Sequence, residues 1–254
     1  MNTKINYLDD LKKLENYLRS DENKNICKPF LLECQRFSDI ARHYGGKSQA
    51  LYEELISKVI SEEYSTGGEL LHRGYYCPSP ILDIIVGNSS RGKILKRLTS
   101  KSKPTYRYRF DGNNNIIIIN YIHLNCDEII IRKGELETGI AFSKDFGIHT
   151  LSECNYCDSQ ITSYIYCLYD SSKNSVVEYR KENYSYSEEG LEAVDIFKFL
   201  NSKSSPILQH DQYHFQHDEN GYLSKYTVIN YEGEHVKPSA WDNHIFNITI
   251  QRKV

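Results

Sequence analysis

Two periodicities divide the chain. From Met1 to Tyr64 apolar side chains recur every three or four positions, first at Tyr7, Leu11, Leu14 and Leu18. After Pro29, at a first-turn position, they continue at Phe30, Cys34, Phe37, Ala41 and Tyr44, and then at Leu51, Leu55, Ile56, Val59 and Ile60. This spacing predicts three amphipathic helices, each needing a partner for its apolar stripe. Gly45-Gly46 closes the second, Ser48 caps the third, and Gly67-Gly68 marks the end of the helical run.

From Thr105 onward the pattern is strand-like. The segment Tyr108 to Tyr121 (YRFDGNNNIIIINY) resembles Tyr166 to Tyr179 (YCLYDSSKNSVVEY) and His214 to Tyr226 (HFQHDENGYLSKY). Each reads as a strand, an Asp-led turn at Asp111, Asp170 or Asp218, and a returning strand. A further hairpin is expected around Lys133-Gly134. The segment EGLEAVDIFKFLN suits either a strand or a helical insertion, and the alternation in HIFNITIQRKV predicts a half-buried strand. Hairpins in series make an antiparallel meander. The fold class expected is α+β, an N-terminal helical part followed by a mainly antiparallel, hairpin-rich twisted β-sheet.

Between these halves lies a stretch punctuated by Pro78, Pro80, Gly87 and Gly92, in which ILDIIV fits a short helix or a strand. The basic run Arg91, Lys93, Lys96, Arg97, Lys101 and Lys103 follows and reads as a solvated linker, because it lacks the interleaved aromatics of a nucleic-acid surface. The expected organisation is a helical segment over 1–70, a basic connector over 71–104 and a Tyr-rich sheet domain over 105–254.

Composition sharpens this division. The 254 residues carry a formal charge of -3, with 26% charged and 39% hydrophobic residues, which excludes disordered, collagen-like and coiled-coil classes. That charge hides a +4 half up to Pro104 and a -7 half beyond it. An acidic sheet favours basic partners over nucleic acid. Fourteen of the 21 Tyr lie beyond Thr105, as hairpin faces require. No apolar run reaches membrane-helix length, and the first residues lack a signal-peptide pattern, so a cytoplasmic protein is expected. Seven irregularly spaced Cys read as free thiols.

Candidate chemistry is sparse. Gly87 to Lys93 satisfies GxxxxGK, but Ile94 stands where a phosphate-binding loop needs a hydroxyl for magnesium, and no βαβ series follows. Cys154 and Cys157 have CxxC spacing, with His149 and Cys167 as possible further zinc ligands but no second pair. His210, His214 and His217, beside Asp211 and Asp218, would share a face on a helix, yet QYHFQH alternates as a strand. Glu188-Glu189 and Asp9-Asp10 have nothing around them to separate two carboxylate pKa values for acid-base work. No catalytic residue, metal site or cofactor is assigned.

The segment HRGYYCPSPILDIIVGNSSRGKILKR, the hairpins of the type YRYRFDGNNNIIIINY and the later EYRKENYSYSEEGLEAVDIFKF together resemble immunity proteins encoded beside polymorphic bacterial toxins. These include partners of contact-dependent growth inhibition toxins and of cell-wall-associated or Rhs-type toxins. The hairpins are also similar to the repeats of Rhs shells, but three are too few to close round a cargo. The immunity resemblance implies a non-enzymatic protein that binds the C-terminal domain of one cognate toxin, commonly a basic nuclease, and occludes its active site or substrate path. Neither nucleic acid nor membrane is an expected partner. The acidic, aromatic stretch Tyr184, Tyr186, Glu188 and Glu189, with Asp218 and Glu219 in the third Asp-led turn, is the expected toxin contact. A non-catalytic binding module with another partner, or a metal-dependent enzyme using the Cys154 or His210 clusters, are the alternatives.

Overall fold

A computed structural model describes residues 16–87, 90–145, 147–202, 206–232, 235–236 and 244–254. The stripe at Tyr7, Leu11 and Leu14 and the Asp9-Asp10 pair lie outside them.

Helix α1 (Asp21–Gly45) begins where Ser20 accepts a hydrogen bond from the Asn23 amide, with Asp21 and Glu22 in its positive first turn and Arg42 and His43 in its last. It runs through Pro29, which was expected to open a helix. Pro29 and Asn25, whose carbonyl loses its usual donor, are both exposed, so that group is not buried without a partner. Helix α2 (Ser48–Ile56) follows, and its first residue is Ser48 itself, with Lys47 at the capping position. Residues 61–66 then leave the helical pattern as strand β1 (Ser61–Thr66), which pairs with the sheet and moves the helix-to-sheet boundary upstream of residue 70.

Among the described residues the sheet has fourteen strands, and every pairing is antiparallel. After β1 and the short β2 (Lys93–Ile94) come β3 (Tyr106–Phe110), β4 (Ile116–Tyr121), β5 (Cys126–Lys133) and β6 (Leu136–Ser143). Next are β7 (Gly147–Cys157), β8 (Gln160–Asp170), β9 (Ser175–Ser187) and β10 (Gly190–Leu200). The far side is β11 (Ile207–His217), β12 (Leu223–Glu232), β13 (His235–Val236) and β14 (Phe246–Asn247). From β3 to β13 each strand pairs with its sequence neighbour, while β1 lies between β2 and β3.

All three Asp-led turns form as expected. Asp111 Oδ1 accepts from the amides of Asn113 and Asn115, Asp170 Oδ1 from Ser172 and Lys173, and Asp218 Oδ1 from Asn220 and Tyr222. The ambiguous EGLEAVDIFKFLN segment is strand β10, and ILDIIV contains the one-turn helix α3 (Leu82–Ile85). The expected C-terminal strand is shorter than its alternation suggests: only Phe246 and Asn247 pair with β12. Beyond them the tail makes isolated bonds, Leu223 N–H to Arg252 O and Leu191 N–H to Val254 O.

Both faces of the sheet are covered, which is why its central strands read as nearly continuous apolar runs. On one face α1, bearing Cys27, Cys34, Phe37 and Ala41, lies over β7, β8 and β9, and α2, bearing Leu51, Tyr52 and Leu55, lies over β4 and β5, closing one core with Ile118, Ile129, Ile140, Leu151, Cys167 and Tyr179. Arg36 fixes the docking with a two-pronged ion pair to Glu153 of β7, at 2.8 and 2.9 Å. On the other face the first part of the expected connector, residues 71–84, is a packed layer: Leu71, Arg73, Cys77, Ser79, Ile81, Asp83 and Ile84 are all buried. Ile81 and Ile84 cover Cys154, Tyr164, Tyr184 and Val194, while Tyr76 packs beside Tyr106 and Tyr108. The basic run beyond it remains solvated, except for Arg91, which folds back onto Asp83 and the carbonyls of Cys77 and Ser79.

Candidate functional site

An up-and-down sheet sends every second turn to the same end. The turns after β3, β5, β7, β9 and β11 therefore share one rim, which carries Asp111, Glu135, Asp158, Glu188, Glu189, Asp218 and Glu219 against Lys133 and the tail residue Lys253, whose ammonium lies over the Tyr222 ring. Glu188-Glu189 and Asp218-Glu219, separated in sequence, occupy tips two strands apart, about 10 Å at the usual strand spacing. Glu135, Asp158, Glu188, Glu189 and Glu219 are exposed. The carboxylates of Asp111 and Asp218 are committed to their turns.

The two tyrosines expected beside these acids do not join them. Tyr184 is 7% exposed, packs in the core under Ile81 and donates to Glu182 Oε2 at 2.6 Å. Tyr186 is half-buried and donates to the Ile161 carbonyl at 2.9 Å. Two positions apart on one strand, they share a face, and that face is the one the connector covers. Tyrosine content alone does not reveal which face of a sheet is occupied.

A second polar concentration lies under the connector and was not legible from spacing. Arg73, in a left-handed conformation at φ 63°, inserts its side chain into the sheet face. It donates to Glu128 Oε1 at 2.9 Å, to Glu137 and to Ser152 Oγ. Glu128 also accepts from Tyr121 at 2.7 Å and contacts His72 Nε2 at 3.1 Å, while His72 Nδ1 meets the Tyr164 hydroxyl at 2.7 Å. Burial would raise the Glu128 pKa, but Arg73 and His72 outweigh it and hold the carboxylate well below its usual range. A like balance acts at Asp83, where Arg252 and Arg91 overcome burial. These charges are matched within the protein, so they pin the connector and tail to the sheet.

Next to this network the ladder between β6 and β7 slips. Ala141 pairs Thr150 but Phe142 pairs Ile148, so His149 is an extra residue whose ring is re-aimed. Its Nε2 lies 2.9 Å from Cys126 Sγ and its Nδ1 3.0 Å from Thr150 Oγ1. Burial lowers the His149 pKa and raises that of Cys126 to about 12, with Glu128 and Asp127 adding to the latter. The pair is therefore a neutral thiol beside a neutral imidazole, and lacks the thiolate of an activated nucleophile.

The remaining sequence candidates separate. Cys154 is in the core, whereas Cys157 is exposed at a hairpin tip. His210 is stacked between Phe197 and Tyr231, with ring centroids 4.2 and 4.5 Å away, and bonds Asp195. His214 bonds Gln212, and His217 follows a ladder irregularity after Gln216. Among the described residues no group of three His, Cys, Asp or Glu side chains is placed to hold a metal ion. Gly87 is exposed after a one-turn helix rather than a strand, and Arg91 of the GxxxxGK loop is spent on Asp83. No known protein family and no curated protein matches the sequence.

Proposed function

We propose that this protein is an immunity protein that binds the C-terminal domain of a cognate antibacterial toxin, a basic nuclease, and blocks its substrate path. The observation that carries the reading is the single acidic rim: the topology brings Glu188-Glu189 and Asp218-Glu219 to neighbouring hairpin tips, flanked by Glu135 and Asp158. A row of carboxylates on a stiff sheet competes for the basic groove with which a nuclease meets its polyanionic substrate, and steers the encounter electrostatically. Tyr184 and Tyr186 support the rim from the core and are not contacts in this proposal.

Co-expression with the C-terminal domain encoded by the neighbouring upstream reading frame tests it. That domain alone should arrest growth and this protein should restore it; a harmless domain, or failure to rescue, rejects the proposal. Reversing Glu188, Glu189 and Glu219 to Lys should slow association about ten-fold or more at low salt, with the difference shrinking as salt rises. Unchanged association kinetics would exclude the rim as the contact.

A further inference from the structure

At the opposite end of the sheet from the acidic rim, a cavity of about 350 Å³ opens between the loop carrying Glu69 to His72 and strands β3 to β8. Two leucines stand at its mouth in water, Leu70 at 74% and Leu124 at 72% exposure. Its walls are aromatic, formed by Tyr106, Tyr121, Tyr166, His72 and His149. Edge-to-face contacts pin these rings, Tyr106 on Tyr121 at 5.2 Å and His72 on Tyr166 at 5.0 Å.

The hydrogen-bonding groups of the lining are already engaged. Tyr106 donates to the carbonyls of Gly68 and Leu71, and Tyr121 donates to Glu128. Both nitrogens of His72 and both of His149 have partners. Arg73, behind the wall, is held by Glu128, Glu137 and Ser152. An anion would find no uncommitted donor here, and a sugar would have to break internal bonds. What the lining still offers is π-electron density, apolar surface and the negative charge of the Glu69 carboxylate at the mouth, one oxygen of which accepts from Thr105 Oγ1 at 3.0 Å. Burial keeps the His149 ring neutral, so it adds no repelling positive charge. Ring quadrupoles and a carboxylate attract positive charge, and the leucines favour alkyl substituents around it.

We propose that this cavity binds a small organic cation of the alkylammonium class, with the ammonium against the Tyr121, Tyr166 and His149 rings and its alkyl groups against Leu70 and Leu124. The site is independent of the rim and of toxin binding.

NMR titration of the purified full chain with choline chloride, at ionic strength fixed with sodium chloride, tests it. Choline should saturate with millimolar affinity, and its neutral isostere 3,3-dimethylbutan-1-ol should bind at least ~10-fold more weakly. Tyr166→Leu should weaken choline binding about ten-fold, and Glu69→Gln, at an exposed position where the amide oxygen can still accept from Thr105, about three-fold or more. Three results would overturn the proposal: no saturable choline binding up to about 100 mM, equal binding of the neutral isostere, or full choline affinity in Glu69→Gln together with a folded Tyr166→Leu. If Tyr166→Leu does not fold, the isostere comparison and Glu69→Gln decide.

Discussion

Gly139 lies beneath the side chain of Arg73. A methyl group at that position would collide with the Arg73 guanidinium, the Glu128 carboxylate and the Ser152 hydroxyl together. The missing side chain on β6 is thus the slot through which a connector arginine reaches the sheet.

Gly139→Ala should therefore destabilise the protein by about 2–4 kcal/mol, since the obstructed groups are buried, charged and already paired. Gly45→Ala, at the end of α1 where nothing lies within 4 Å of the added carbon, is the control and should be neutral or stabilising by up to about 1 kcal/mol. Urea unfolding of the two variants measures the difference; equal midpoints would mean that the guanidinium moves aside freely.

Removing the arginine leaves a different defect. Arg73→Met should cost about 3–5 kcal/mol at pH 7, because Glu128 is left buried with only His72 beside it and Glu137 keeps only Arg132. The double variant with Glu128→Gln should recover part of the loss, and a double-mutant cycle in urea quantifies the coupling.

Acid stability follows from the same carboxylates. Glu128, Glu137 and Asp83 have folded-state pKa values held below those of the unfolded chain by their arginines, despite burial. Their contribution is complete above the ordinary carboxylate range and disappears as pH falls through it toward the lower folded values. Unfolding free energy measured from pH 7 to pH 3 should decline most steeply below about pH 4.5, and less so in Glu128→Gln. A parallel decline in the two proteins would remove Glu128 from this account.

The seven thiols should sort by exposure. Cys157 is exposed and the other six are buried. Burial pushes Cys34, Cys126 and Cys154 up to about 12. Iodoacetamide at pH 8 should modify Cys157 quickly and the remainder only on unfolding, as peptide mass spectrometry would report. Rapid labelling of Cys126 in the folded protein would contradict the neutral pairing with His149.

Local chemistry made the hairpins readable: an Asp with Gly, Asn or Ser in the next two positions determines a turn within a few residues, and Asp111, Asp170 and Asp218 all form one. The amphipathic stripe of α1 was equally plain because its partner is a single broad apolar face. The fate of the connector was hidden, because Pro78, Pro80 and Gly87 mark bends without saying which surface receives Ile81 and Ile84. Tyr184 was misread for that reason, since its burial depends on a segment roughly a hundred residues upstream. The His149 cavity left no signal either, because a ladder slip joins Cys126 to His149 only after register is set.

The docking of α1 on β7, β8 and β9 has a temporal consequence during vectorial synthesis. The helix is complete at Gly45, whereas β9 ends only at Ser187. At about 5–20 residues per second, the face formed by Cys27, Cys34, Phe37 and Ala41 waits on the order of 10 s for the strands that will cover it. Each hairpin closes almost as soon as it emerges, so the nascent chain is a growing sheet accompanied by an orphaned, adhesive helix until the middle strands arrive.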